Sequence, residues 1–176
     1  MNNNILKLAT FAARFILLID VLFGALFVFL MIARPLQLEF LEYISIEGGN
    51  IIRFGKSTSP WEIPLSEYNG FFFYSRCIKA LIIAGILYRI IQVAIRIIQS
   101  ISNLDTFRIE NVKSFRLMGK LFLIWFALDI ISLHPSLSGS IVELSTNLVF
   151  WALICFVLAE IFSEGNKLME DNKLTI

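Results

Sequence analysis

Four ionisable side chains stand inside apolar runs of this chain: Asp20, Lys79, Asp129 and Glu160. A charge held at bilayer depth costs at least about 2.5 to 3.5 kcal/mol on insertion scales and is kept only where it meets a partner or water. Matching of depth along the apolar runs pairs Asp20 with Arg89 and Lys79 with Asp129, two cross-helix pairs of opposite sign. The alternative chemistry is a proton or ion path through the carboxylates, because intramembrane acids often mark such routes. Glu160 reads as interfacial.

Other chemistries find little material. The single histidine, His134, cannot hold zinc alone, and no cysteine or carboxylate neighbours it at ligand spacing. Cys77 and Cys155 fall on different helices at different depths, so they read as small core residues rather than a disulfide. No phosphate-cradling glycine loop, nucleophile elbow or metalloprotease helix is present. The chain reads as non-enzymatic, with no cofactor and no metal.

The elements that must carry these charges follow from composition. At 57% hydrophobic residues and a mean hydropathy of +0.77, the chain is more apolar than a soluble domain. In 176 residues that surplus must face lipid or a partner. A net charge of +1 with no basic stripe gives no sign of direct nucleic-acid binding. Apolar runs place crossings at about 12–32, 72–95, 115–133 and 144–162 in a single membrane domain spanning 1–176. The first run is longer than a signal-peptide core and no small-residue cleavage site follows it, so it reads as a retained anchor.

The second run carries Arg89, Gln92, Arg96 and Gln99, which at about 100° per residue fall within about 80° of one another. They form one polar stripe, suited to a helix leaving the hydrocarbon with its arginines reaching for phosphate. The segment 89–120 holds six basic residues, Arg89, Arg96, Arg108, Lys113, Arg116 and Lys120, whereas 134–143 holds none. Basic loops resist translocation, so both termini and the middle connection are expected in the cytoplasm.

Residues 33–70 then lie outside. There LQLEFLEYISIEGGNIIRFGK alternates apolar and polar side chains about Gly48-Gly49-Asn50, a hairpin pattern. Pro60, Trp61, Pro64 and Tyr68 read as an irregular return to the membrane. The expected fold class is an all-α membrane protein, a four-helix transmembrane bundle with a small extracytoplasmic β-hairpin between helices 1 and 2.

On the cytoplasmic side, Asp105 or Thr106 can cap the third helix, with Glu110 in its first turn. Ile161 and Phe162 repeat seven residues on as Leu168 and Met169, so the fourth helix either continues past Gly165 or ends on it as a cap. Leu174 and Ile176 alternate with polar neighbours, a pattern suited to docking in extended form.

The tail Ala159-Glu160-Ile161-Phe162, Glu164-Gly165, Leu168 and Glu170-Asp171-Asn172-Lys173-Leu174-Thr175-Ile176 resembles the ending of the bacterial membrane proteins of domain-of-unknown-function family 2975. Phe107, Asn111, Arg116 and Gly119 are similar to that family's segment before its third crossing, with Leu104 and Thr106 standing where many members carry Gly and Pro. The resemblance implies a four-helix protein of the cell (inner) membrane without established activity, often encoded beside a small helix-turn-helix regulator. It brings no catalytic residues. With the residue-level reading it points to a cytoplasmic face, residues 99–116 and 163–176, that docks a protein partner, with a transcription regulator the expected one. The docking residues are Phe107, Asn111, Arg116, Leu168, Leu174, Thr175 and Ile176. The other class is a small transporter, channel or immunity-type protein using its intramembrane carboxylates. The lipid bilayer is a partner in either case.

Overall fold

A computed structural model of the chain describes residues 3–38, 41, 44–47, 51–54, 62–64, 69–102, 107–130 and 146–174. Its order is α1 (Asn3–Ala33), β1 (Ile44–Glu47), β2 (Ile51–Phe54), β3 (Glu62–Pro64), α2 (Gly70–Ser102), α3 (Ile109–Ile130) and α4 (Thr146–Leu174).

The helix ends have local causes. Pro35 disfavours helical backbone at the residue before it, and α1 closes with Arg34 N–H donating to the Leu30 carbonyl at 3.1 Å. Gln37 then takes a left-handed φ of 48° as the chain turns. Asn69 caps α2: its Oδ1 accepts from Phe71 N–H at 3.0 Å, and its carbonyl accepts from Phe73 N–H at 3.0 Å. Arg108 opens α3, its carbonyl accepting from Asn111 N–H at 3.0 Å. Glu110 sits in that first turn, against the positive end of the helix. The caps expected at Asp105 or Thr106 lie outside the described residues, as do Gly48-Gly49-Asn50, Pro60, Trp61, Tyr68 and the turn at 134–143.

The expected fold class is corrected. Three helices, α1, α2 and α4, are long and apolar enough to cross a membrane, and α3 is not among them. The physical reason is charge: Glu110, Lys113, Arg116 and Lys120 crowd its first half and Asp129 interrupts its last turn. The helix and the residue leading into it pair antiparallel with α4, as the contacts of Gly119, Arg116 and Phe107 on Phe156, Glu160 and Gly165 run in reverse order. The strand segment is a three-stranded sheet of order β2-β1-β3 rather than a lone hairpin. In it β1 pairs antiparallel with β2, Ile44 opposite Phe54, and with β3, Ser45 opposite Pro64. The expected extended tail at Leu174 is also corrected, since α4 remains helical through that residue.

Two compact units result. One comprises 22–84 and 132–142. Its core joins Leu30 and Ala33 of α1, Leu41, Ile44 of β1, and Phe73 and Cys77 of α2. The Arg34 guanidinium lies 4.5 Å above the Phe73 ring, a cation held on an aromatic face where α1 ends. The other comprises 1–21, 85–131 and 143–176. Val93 and Ile97 of α2, Val112 and Phe115 of α3 and Ala159 of α4 form its core.

Much of the remaining apolar surface is open. Phe15, Leu22 and Phe29 of α1 and Phe150, Leu153 and Val157 of α4 are all exposed. On a helix long enough to span a bilayer, such surface is the lipid-facing side.

Candidate functional site

The second unit gathers α1 through Val21, α2 from Gly85, and the whole of α3 and α4. Three kinds of contact hold them. Between α2 and α3, the Asn111 Nδ2 donates to Ser100 Oγ at 2.9 Å, and Asn111 is 3% exposed. A buried amide needs such a partner, because an unpaired one costs about 1 to 3 kcal/mol.

Between α3 and α4 the contacts are built on glycine. A Cβ on Gly119 would stand 2.8 Å from Cζ of Phe156, so only glycine lets that ring lie against the α3 backbone. A Cβ on Gly165 would collide with the ring of Phe107. Phe107 in turn meets Phe162 with ring centroids 5.5 Å apart, and Phe115 meets Phe162 at 5.0 Å, separations at which aromatic pairs attract. Ala152, Cys155 and Ala159 are buried along α4. Small residues at such positions let helix backbones approach closely in a membrane.

The third contact is electrostatic. Arg116 Nη2 lies 3.6 Å from Glu160 Oε2, both side chains more than half exposed. One turn beyond, Lys167 Nζ donates to Glu164 Oε1 at 2.6 Å and Asn166 Nδ2 to Glu170 Oε1 at 3.2 Å, so the distal α4 surface is laced by pairs at helical spacing.

The docking residues expected from sequence therefore divide. Phe107, Asn111 and Arg116 each meet α4 or α2; Asn111 is buried there, whereas Phe107 and Arg116 stay exposed. Leu168 is 64% exposed and beside it Met169 is 45% exposed. Leu174 is placed on the α4 backbone, while Thr175 and Ile176 lie outside the described residues.

The expected charge pairs divide as well. Asp20 is buried in α1 at 9% exposure. Among the described residues no ion pair joins it to Arg89, whose Nη1 donates instead to Gln92 Oε1 at 3.2 Å along the polar stripe. Lys79 and Asp129 are half-buried, fall in different units, and neither is a free charge. Cys77 and Cys155 are free thiols, both buried.

Sequence reasoning missed Phe156, Phe162 and Ser100 as the partners of these residues. The available signal was a glycine in mid-helix, at 119 and at 165, which costs about 1 kcal/mol against alanine and so calls for a packing reason. No family model matches the chain, and neither a curated protein nor a solved structure matches it.

Proposed function

We propose that this is a non-enzymatic integral membrane protein of the cell membrane whose distal α4, together with the start of α3, docks a cytoplasmic protein partner. One observation carries the reading. Helix α4 continues unbroken to Leu174 and presents exposed Leu168 and Met169 beside the Glu164–Lys167 and Asn166–Glu170 pairs. An apolar pair rimmed by charge on a projecting helix suits recognition by a helix or groove of a partner.

Cytoplasmic placement of this face and of both termini is supported by the basic residues around it, Arg89, Arg96, Arg108, Lys113, Arg116 and Lys120. The resemblance of the tail and of the α3 start to domain-of-unknown-function family 2975 makes a small helix-turn-helix regulator the partner to seek. Because those two stretches pack on each other, a partner on α4 would bear on the α3 joint as well.

Deletion of residues 170–176 tests the reading. Partner recovery from crosslinked native membranes is expected to disappear while membrane insertion persists; undiminished recovery would refute it. A second reading, transport or protection through intramembrane acids, draws on the burial of Asp20 in α1. Asp20→Asn separates the two: partner recovery survives the change, whereas a carboxylate-dependent path is lost.

A further inference from the structure

Near its start α1 carries Lys7, Thr10 and Arg14 at spacings of three and four residues, which puts them on one helix face. Together with Leu6 and Phe11, and with Gln99 and Ser102 from the end of α2, they line a groove of about 290 Å³.

The groove is chemically one-sided. Among the described residues no carboxylate lines it. Among the described residues neither Lys7 nor Arg14 has an ion-pair partner. The Thr10 hydroxyl proton is already given to the Leu6 carbonyl at 2.9 Å, so the groove's unspent donors belong to the two cations, the Gln99 amide and the Ser102 hydroxyl. Such a set is complementary to an anion with several acceptor oxygens, and phosphate is matched by a guanidinium and an ammonium together.

Position selects the kind of phosphate. Lys7 and Arg14 are about 10 Å apart along the helix axis, seven residues at 1.5 Å each. Beyond Arg14 the exposed surface of a helix able to span a bilayer is apolar from Phe15 onward, whereas before it exposed Ile5, Leu8 and Phe11 alternate with the groove's polar residues. Leu6 and Phe11 give the groove apolar walls. An anion bound there has hydrocarbon on one side and water on the other, the situation of a lipid headgroup. We propose that this groove is a binding site for the phosphate of an anionic phospholipid. The site depends on membrane residence and is independent of the protein partner proposed above.

Lipid retention by the purified full-length protein, read by native mass spectrometry from mixed phosphatidylglycerol and phosphatidylcholine micelles, tests it. The unaltered chain is expected to retain phosphatidylglycerol preferentially. Lys7→Gln and Arg14→Gln should each lower that preference about fivefold, the effect of one basic residue near an anionic surface. Gln99→Glu, which brings a like charge into the groove from α2, should weaken it as well. Lys167→Gln, on distal α4 outside the groove, should leave it intact, and so should excess inorganic phosphate if the lipid is the ligand. Equal retention of both lipids by the unaltered chain overturns the proposal, as does full displacement by inorganic phosphate. Should the α1 variants fail to fold, undiminished preference in Gln99→Glu overturns it alone.

Discussion

The ring of Phe107 occupies the space that a Cβ on Gly165 would require, so the start of α3 is seated on bare backbone of α4. The same ring touches Phe162 one turn earlier. Gly165 is therefore a contact surface, and the helix continues through it because packing offsets its poor propensity.

A double-mutant cycle reads this directly. Gly165→Ala should destabilise the unaltered chain, because the ring must leave its seat. In a Phe107→Ala background the same change should become favourable by about 1 kcal/mol, the helix-propensity gain of alanine over glycine. Thermal unfolding in detergent of the four proteins of the cycle checks both signs.

Gly119 is the more buried case, and its neighbour Phe156 is half-buried. Gly119→Ala should cost about 1 to 3 kcal/mol, the usual penalty for overpacking. Adding Phe156→Leu should recover part of that loss in the same unfolding measurement.

Asn111 and Ser100 predict a polar effect of similar size. Asn111→Leu leaves the Ser100 hydroxyl without its donor and should cost about 1 to 3 kcal/mol. Because the bond ties α2 to α3, hydrogen exchange should quicken at the first turns of α3 while α1 exchange stays unchanged.

By contrast, the Arg116–Glu160 pair is exposed at a separation of 3.6 Å. Arg116→Gln should change stability by at most about 1 kcal/mol, and less at high salt. A larger loss in unfolding experiments would mean that Arg116 has a further role.

What could be read from sequence was set by scale. Long apolar runs announced α1, α2 and α4, and the polar stripe from Arg89 to Gln99 announced an exposed edge, because helical period and hydropathy are local properties. The third crossing, expected over 115–133, lies partly outside the described residues, and the described α3 carries too many charges to stand among the helices apolar enough to span. Alternation points to a lone hairpin, whereas Ile44–Glu47 is the middle strand of three; β3 escapes such a reading because it is three residues long and its pairing is non-local. The candidate site was legible in composition and not in role. Phe107, Asn111 and Arg116 were singled out, but which of them faces inward depends on contacts with Gly165, Ser100 and Glu160 that lie 11 to 58 positions away.

The central claim, a membrane protein with its α4 docking face in the cytoplasm and its sheet outside, meets its most direct test in cysteine labelling of intact cells. In a background carrying Cys77→Ala and Cys155→Ala, a membrane-impermeant maleimide should react with Arg53→Cys, on β2, without disruption of the cells. It should reach Lys167→Cys, on distal α4, only after the membrane is opened. Labelling of Lys167→Cys in intact cells, with Arg53→Cys protected, would contradict the account.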